Sequence, residues 1–282
     1  MTKIRISDYV NSIMDLVHLG FKPKQIAVKL GLNPVSVGSW LRTNHPEFSF
    51  IPNPGNVHYF DSIDSYAKAY ILGFIAADGA LVKATKSSTS LTITLKYEDK
   101  AVLEFIKSEI GSGAELKEIR RPSSFDKTKT IHHIRYTNSN NTLIQGILKY
   151  GIGYNKSKTM GNVLVNIPYD YRDAFIIGYF DGDGSVTVRN GLYQNDRGIL
   201  CKDNSLYVQI RGTKEFFTGV CKHLSISTSH IHNTESIPCL AFASKKDTMR
   251  LYKCYSHLPF YLKRKHDKFL ERINLPCYDK YR

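Results

Sequence analysis

The pattern that decides the fold occurs twice, as Ala69-Tyr-Ile-Leu-Gly-Phe-Ile-Ala-Ala-Asp78-Gly79 and, altered, as Ala174-Phe-Ile-Ile-Gly-Tyr-Phe-Asp-Gly-Asp183-Gly184. Each copy is an apolar helical run with two small residues four positions apart, Gly73/Ala77 and Gly178/Gly182. Small residues at i and i+4 lie on one face of a helix, and their lack of bulk lets a second helix backbone approach closely. Each run ends on an Asp that is followed by a Gly, which predicts a left-handed glycine cap at the helix end.

Two such helices packed face to face would bring Asp78 and Asp183 together at one end. That end carries the negative poles of both helix dipoles, so two carboxylates are unfavourable there unless a positive group lies between them. A divalent metal held by hard oxygen ligands is the natural candidate. The plainer alternative is a pair of core helices that both stop at Asp-Gly, which is a common helix stop signal.

The two copies resemble the LAGLIDADG motif of homing endonucleases, in the single-chain form that carries two motifs. The resemblance covers residues 71–79 and 176–184; the second copy is nearly complete, whereas the first has Ala76 where the family usually has an acidic residue. It implies that the acids at the eighth motif position, Asp78 and Asp183, are catalytic. It further implies that they bind Mg²⁺, with Mn²⁺ as a substitute, together with the backbone carbonyls of Ala77 and Gly182.

Members of this family usually place a basic residue near each metal site, where it polarises the water network. In the first unit, the stretch that corresponds to this basic residue contains Lys156, followed by Lys158. In the second unit, the corresponding stretch contains Lys265, which is favoured over Lys263. The resemblance therefore implies catalytic roles for Lys156 and Lys265. The alternative for any of these lysines is a phosphate contact or a solvated side chain.

The chain is strongly basic, with a formal net charge of +14 over 282 residues. This charge points to an acidic polymer as the partner. A membrane surface is the rival partner, but no apolar run of the sequence reaches transmembrane length. The amino-terminal sequence lacks the apolar segment of a signal peptide. We therefore expect a nucleic-acid-binding protein that neither enters a membrane nor is secreted.

The cysteines are odd in number and form no C-x-x-C pair; they are Cys201, Cys221, Cys239, Cys254 and Cys277. This pattern argues against a disulfide framework or a zinc knuckle. It predicts a reducing intracellular compartment, such as a bacterial or phage-infected cytoplasm or an organelle.

The elements that follow the first motif recur after the second, which predicts an α+β protein of two pseudo-symmetric αββαββα units that share a central helix pair. The first unit covers residues 58–160 and the second covers 161–282. In the first unit we expect strands at 91–97, 114–121 and 130–136 and helices at 99–110 and 141–150. In the second we expect strands at 185–193, 206–211, 230–237 and 239–244 and helices at 215–224 and 247–257.

Alternation along these strands divides each sheet into a core face and a polar outer face. The outer residues are hydrogen-bonding or cationic, namely Thr92, Thr94, Lys96, His133, Arg135, Thr187, Arg189, Tyr207, Gln209 and Arg211. A polar sheet face of this kind can enter the DNA major groove and read base edges. The alternative is an ordinary solvated sheet face.

The amino-terminal 45 residues predict three short helices, the second and third of which are separated by a Gly turn. This order resembles the helix-turn-helix of transposases and resolvases, whose second helix enters the major groove. The groove-facing candidates are Asn33, Ser36, Ser39 and Arg42, with Val37 and Trp40 in the core. The alternative is a small packing domain. Residues 46–57 are expected to form a linker.

Together these features predict a monomeric, site-specific, double-stranded DNA endonuclease of the homing type, a product of intron homing or another mobile element, without a small-molecule substrate. One alternative is a catalytically inactive DNA-binding transcription regulator on the same scaffold. The retention of both Asp78 and Asp183 weighs against it, because carboxylates beside DNA would only repel. A second alternative is an RNA-splicing maturase, but a helix-turn-helix suits B-form DNA better than RNA.

Overall fold

The computed structural model describes residues 5–45, 53–83, 89–123, 126–194, 197–234 and 236–281. The chain forms two compact units, Met1–Asn53 and Pro54–Arg282. Residues 46–52 of the predicted linker lie outside the described residues. The predicted boundary between residues 160 and 161 falls inside the larger unit and stays a prediction.

The smaller unit contains the three expected helices: α1 (Val10–His18), α2 (Pro23–Leu30) and α3 (Pro34–Asn44). Their apolar faces form a core of their own from Ile13, Val17, Ile26, Ala27, Val37 and Leu41. Trp40 is half-buried against this core. The predicted core positions of Val37 and Trp40 are therefore confirmed, whereas the role of the unit as a DNA-binding helix-turn-helix stays a prediction.

The larger unit begins its regular structure with a buried helix, and the same order of elements then recurs. The first half contains α4 (Tyr66–Asp78), β1 (Gly79–Lys83), β2 (Thr89–Lys96), α5 (Lys100–Ile110), β3 (Lys117–Pro122), β4 (Thr130–Asn138), α6 (Asn141–Leu148) and α7 (Lys156–Thr159). The second half contains α8 (Arg172–Asp183), β5 (Gly184–Val188), β6 (Leu192–Gln194), β7 (Leu200–Lys202), β8 (Leu206–Arg211), α9 (Lys214–Leu224), β9 (Ile231–His232), β10 (Cys239–Phe242), α10 (Lys245–Lys253) and α11 (Lys263–Ile273).

Each half builds a four-stranded antiparallel sheet with the same topology, in the order β1-β2-β4-β3 and β5-β8-β10-β9. Residues of α4 and α8, the four-stranded sheets and their covering helices belong to one continuous apolar core. The predicted pseudo-symmetric repeat of helices and strands is thus confirmed. The hairpin β6–β7 is an addition that occurs in the second half.

Two predicted strands are wrong in their extent. The strand expected at 185–193 stops at Val188, because its partner β8 begins at Leu206 opposite that residue, and Leu192–Gln194 pair instead with β7 in a separate ribbon. The strand expected at 230–237 is only two residues long. Thr234 interrupts it, since its hydroxyl donates to the carbonyl of Ile237 (2.6 Å) and accepts from the N–H of that residue (3.2 Å).

The helices α4 and α8 are apolar on all sides because they lie between the two halves of the core. Every residue from Ala69 to Ala77 and from Ala174 to Asp181 is buried. A helix that is hydrophobic all round is a core helix rather than a surface helix. Only the first and last residues of α4 and α8 reach solvent, and the two motif acids are among the last.

Candidate active site

Small residues bring the backbones of α4 and α8 into direct contact. A Cβ added to Gly73 would overlap the carbonyl of Phe175, and one added to Gly178 would overlap the carbonyl of Tyr70. No side chain fits at either position, so glycine is required for this approach. The close contact predicted from the small residues is confirmed.

The same contact places the two motif acids beside each other at the carboxyl ends of the helices. A Cβ added to Gly182 would overlap the side chain of Ala77 and would lie 3.4 Å from Oδ2 of Asp78. Gly182 directly precedes Asp183, so the ends of α4 and α8 share one cleft. The structure therefore brings together the four positions predicted to bind metal.

The glycines after the acids do not have the predicted left-handed conformation. Gly79 has φ −71° and ψ 142°, and Gly184 has φ −87° and ψ 157°, so both are extended and open the strands β1 and β5. Glycine is needed there for space: a Cβ on Gly79 would lie 2.6 Å from the carbonyl oxygen of Ile75, and one on Gly184 would overlap Phe180. The prediction of a glycine cap was wrong because each helix runs directly into a strand that needs extended backbone.

The two favoured lysines both reach the carboxyl ends of the motif helices. The ammonium of Lys156, in the first turn of α7, donates to the carbonyl of Ala77. The ammonium of Lys265, in the first turn of α11, donates to the carbonyls of Phe180 (2.8 Å), Asp181 (2.6 Å) and Gly182 (3.4 Å). Each lysine thus touches the carbonyl that directly precedes a motif acid.

The alternative lysines do not reach the cleft in this way. Lys158 is exposed. Lys263 is exposed and pairs with Asp267, one turn further along its own helix. The geometry therefore favours Lys156 and Lys265 over their neighbours, while their catalytic roles stay predictions.

Helix α11, which carries Lys265, is not among the helices that the sequence predicts. It begins at Lys263 and buries Lys265, Phe269 and Ile273 at intervals of four residues. That spacing is visible in the sequence and is typical of a helix face. It was missed because the stretch has many charged residues, one of which belongs to the buried face.

Burial raises the pKa values of both acids, and repulsion by the second acid adds to the shift of the first. Burial, and then the charge of Asp183, raise the pKa of Asp78 to about 6, against the opposing charges of Lys265 and Lys156. Desolvation also raises the pKa of Asp183, although its side chain is more open to solvent than that of Asp78. Two carboxylates in a partly dehydrated cleft favour a cation between them, because a cation relieves both effects.

Burial lowers the pKa values of the two lysines, which is the opposite of its effect on the acids. It lowers the pKa of Lys265 to about 8, against the charges of Asp181 and Asp78. It also lowers the pKa of Lys156. A lysine whose pKa lies near neutrality can exchange protons with nearby water more readily than a solvated lysine.

The donor atoms at this end of the helix pair are hard oxygens. Within the described parts of the chain, no three His, Cys, Asp or Glu side chains form a cluster for a metal. The oxygens available to a cation at this end are the carboxylates of Asp78 and Asp183 and the carbonyls of Ala77 and Gly182. These carbonyls accept lysine hydrogen bonds, but a carbonyl oxygen has two lone pairs. Carboxylate, carbonyl and water oxygens are the ligands that Mg²⁺ takes, so this set of residues fits a magnesium ion.

A buried acid beside the cleft was not predicted as a functional residue. Asp181 is 1% exposed. Its Oδ2 accepts hydrogen bonds from the hydroxyl of Tyr70 (2.8 Å) and from the N–H of Leu262 (2.7 Å). Burial raises its pKa to about 6, although these bonds and the charge of Lys265 oppose the shift. The sequence signal was the acid at the sixth position of the second motif, where the first motif has Ala76.

The polar faces of the two sheets carry the residues predicted to contact DNA. In the first sheet Lys96 lies opposite His133 and Thr94 opposite Arg135, whose Nε donates to the Thr94 hydroxyl (3.0 Å). The core faces of the same strands are buried. Thr92 lies on the same outer face, opposite Thr137.

The strand register also places two cationic residues on the outer face of the first sheet that were not predicted from the sequence. Lys117 lies opposite Arg135, and Arg121 lies opposite Ile131, so both share the outer face. They were missed because β3 has no clear alternation, since most of its residues are exposed.

The second sheet has a similar outer face. Thr187 lies opposite Tyr207, and Gln209 lies opposite Ser185. The guanidinium of Arg189 lies 4.4 Å from the ring centre of Tyr207, a cation–π contact. Arg211, at the end of β8, is exposed. Contact of these residues with DNA stays a prediction.

In the smaller unit all four predicted DNA contacts are exposed to solvent, but one of them also has a part in the fold. Ser36, Ser39 and Arg42 are exposed at intervals of three residues. Asn33 also caps α3, since its Oδ1 accepts from the N–H groups of Val35 (2.9 Å) and Ser36 (3.2 Å). Its side-chain oxygen is therefore already engaged, which leaves the amide group for other contacts.

Among the described residues, no helix is long and apolar enough to cross a membrane. No protein-family model matches the sequence, and no curated protein matches it.

Several solved structures are similar to this chain. The meganuclease I-SmaMI bound to uncleavable DNA is 12% identical, with a TM-score of 0.48 over 72% of this chain and 88% of its own. The LAGLIDADG meganuclease I-AabMI bound to uncleaved DNA is 12% identical, with a TM-score of 0.47 over 72% and 87%. The LAGLIDADG homing endonuclease I-LtrWI bound to target DNA is 13% identical, with a TM-score of 0.46 over 77% and 91%. These three solved structures are of LAGLIDADG homing endonucleases, the family that the two repeated motifs of this chain resemble.

Proposed function

We propose that the protein is a site-specific, double-stranded DNA endonuclease of the homing type. The observation that carries this proposal is the shared cleft at the ends of α4 and α8. Asp78 and Asp183 meet there through a glycine-only contact, and each helix end also receives a lysine. A protein that only bound DNA would gain nothing from two carboxylates with raised pKa values, since they repel phosphate.

In this proposal Asp78 and Asp183, with the carbonyls of Ala77 and Gly182, hold Mg²⁺. When bound, the metal supplies an activated water and neutralises charge on the phosphate and on the leaving oxygen. Lys156 and Lys265 lie against the same carbonyls and stabilise negative charge that develops beside them. Because their pKa values are lowered, they also take part in proton exchange with the water of the cleft.

The outer faces of the two sheets are the proposed DNA-reading surfaces. Each faces away from the core, and between them they carry Lys96, Arg135, Arg189 and Arg211, besides neutral hydrogen-bonding residues. Arg and Gln side chains suit guanine and adenine edges in the major groove. Because one chain holds two sheets and two acids, a monomer suffices to cut both strands.

The amino-terminal unit is proposed to be a second DNA-binding module of the helix-turn-helix type. Two binding units on one chain raise each other's effective concentration on one duplex. Removal of residues 1–53 should therefore weaken binding and shorten the footprint at one end, while the cut phosphates stay the same. A footprint of unchanged length would make this unit a packing or protein-interaction domain.

The decisive experiment is cleavage of a duplex made by joining the two DNA sequences that flank the protein's own gene. Full-length protein with Mg²⁺ or Mn²⁺ should cut both strands at one place, and a chelator should stop the reaction. The Asp78→Asn/Asp183→Asn double variant should bind this duplex without cutting it. Tight binding without cleavage by the wild type would instead identify a regulator, and preferential binding of the transcript would identify a maturase.

A further inference from the structure

The contact between α4 and α8 includes one polar pair that has no counterpart across the pseudo-symmetry. Tyr70 and Phe175 occupy the same position in the two motif helices, as do Ala76 and Asp181. The hydroxyl of Tyr70 donates to Asp181 (2.8 Å). The symmetry-related pair is therefore Phe175 with Ala76, in which both polar groups are replaced by apolar ones.

This polar pair is connected to the segment that carries Lys265. The same oxygen of Asp181 accepts the N–H of Leu262 (2.7 Å), the residue that caps the amino end of α11. A carboxylate at a helix amino end satisfies an otherwise free N–H group and interacts favourably with the helix dipole. Tyr70 thus fixes Asp181, and Asp181 fixes the first turn of α11.

A second link holds this turn to the first half of the larger unit. The guanidinium of Arg264 pairs with both carboxylate oxygens of Asp99, each at 2.8 Å. Lys265, next in sequence, contacts α8 instead and is 4% exposed. Its ammonium is therefore held against three carbonyls of α8 by a helix turn that is anchored on both sides.

Lys156 has no equivalent of Asp181 in its half of the cleft, and its segment is tied instead by the Tyr154 hydroxyl, which bonds to that of Thr89 (2.8 Å), and by the Met160 carbonyl, which accepts from Thr213. It lies in α7, which is only four residues long and follows Asn155 in a left-handed conformation. Its ammonium contacts the carbonyl of Ala77, and the side chain is half-buried. Ala76 and Phe175 offer no polar side-chain atom that could hold the α7 segment.

We propose that Asp181, held by Tyr70, is a positioning residue that serves only the Lys265 side of the cleft. It acts through the amino end of α11, which it fixes so that the Lys265 ammonium stays at the carbonyl before Asp183. The two halves of the active site are therefore unequally preorganised, and the two DNA strands depend unequally on Asp181. This inference rests on the proposed endonuclease function.

The test uses full-length protein with three substitutions. Tyr70→Phe removes only the hydroxyl, and the phenyl ring at the equivalent position 175 shows that the helix contact accepts it. Asp181→Asn keeps the shape but removes the charge that strengthens both hydrogen bonds. The matched control is Tyr136→Phe, which removes an equally buried hydroxyl that accepts from Asn138 in the first sheet (3.1 Å), away from α11.

Hydrogen exchange is measured first, by mass spectrometry, on peptides that contain residues 262–266 and 153–159. Tyr70→Phe and Asp181→Asn should speed exchange at 262–266 and leave 153–159 unchanged, whereas Tyr136→Phe should change neither. Unchanged exchange at 262–266 in both variants would overturn the anchor. This measurement needs no DNA, so it decides the structural claim even if the proposed endonuclease function fails.

Cleavage is then measured with each strand of the joined flanking duplex labelled separately. Tyr70→Phe and Asp181→Asn should slow the cutting of the same single strand by roughly 10- to 100-fold, the loss expected when a group in an active site is slightly misplaced. The other strand should keep its rate, and so should both strands with Tyr136→Phe. Equal slowing of both strands, or no slowing while exchange at 262–266 increases, would reduce Asp181 to a merely structural role. A wild type that binds this duplex and cuts neither strand would overturn the endonuclease function, and with it the positioning role.

Discussion

The two motif helices share one backbone contact, but the lysines at their carboxyl ends are held in different ways. Gly73 and Gly178 make equivalent contacts with carbonyls of the opposite helix. Lys265, by contrast, is buried in a long helix and bonds to three carbonyls, whereas Lys156 lies in a helix of four residues and bonds to one. The comparison teaches that pseudo-symmetry is strict where two backbones touch and relaxed where side chains complete the cleft.

The largest expected effect is the loss of cleavage when either motif acid is substituted. This loss should be similar for the two acids. Asp78→Asn and Asp183→Asn should each abolish double-strand cleavage, with a loss of at least about 10²- to 10³-fold, which is typical when one preorganised electrostatic group is removed. DNA affinity should be kept or improved because a negative charge near the phosphates is lost. Strand-resolved cleavage and a binding titration measure both quantities. Normal double-strand cutting by either variant would remove that acid from the site.

The glycine contact should also be symmetric. Gly73→Ala and Gly178→Ala should each destabilise the larger unit by about 1–3 kcal/mol or more, because the added methyl overlaps a backbone carbonyl that cannot move alone. Urea unfolding of the two variants measures the difference in the free energy of unfolding. Gly191→Ala is the matched control, since a Cβ there meets no atom within 4 Å. If the free energies of unfolding of the two variants differ widely, the helix contact is less symmetric than the backbone indicates.

Substitution of the two lysines should affect stability differently in the two halves of the larger unit. Lys265→Met should destabilise the larger unit by about 1–3 kcal/mol, because it removes the ammonium from the carbonyls of Phe180 and Asp181, of which the former keeps the N–H of Gly184. Lys156→Met should change stability much less, since its ammonium contacts a single carbonyl and its side chain is only half-buried. Thermal or urea unfolding tests this, with Lys263→Met as an exposed control on the same helix turn. Equal stability losses for Lys156→Met and Lys265→Met would contradict the unequal anchoring.

The smallest effects are expected at the sheet faces, one in each half. Lys96→Ala and Arg211→Ala should each weaken DNA binding by about 1–3 kcal/mol and relax base preference at one position if the side chain contacts a base. A phosphate contact would instead lower affinity evenly across sequences and reduce the salt dependence by about one ion. Binding to a panel of singly altered duplexes at two salt concentrations distinguishes the two. If neither variant changes affinity or salt dependence, the sheet faces are not the DNA surface.

Much of this arrangement follows from local sequence patterns. The repeat of small residues and acids predicted the helix pair, and strand alternation predicted which face of β2, β4 and β8 is buried. Patterns that depend on distant partners were harder to interpret. The hairpin β6–β7 and helix α11 were missed, because a ribbon and a charged helix with a buried lysine give weak periodic signals.

By itself, the sequence determined that two apolar helices with glycine at matching positions must pack closely, and that each must end at an acid. This follows because the size of a side chain and its spacing are local properties. Only the tertiary structure decided that Gly79 and Gly184 are extended rather than left-handed, and that Lys156 and Lys265 rather than Lys158 and Lys263 reach the helix ends. It also decided that Asp181 bonds to Tyr70 and to the amino end of α11. These outcomes depend on which carbonyl or amide comes within hydrogen-bonding distance, and residues far apart in the chain set that distance only when the core has packed.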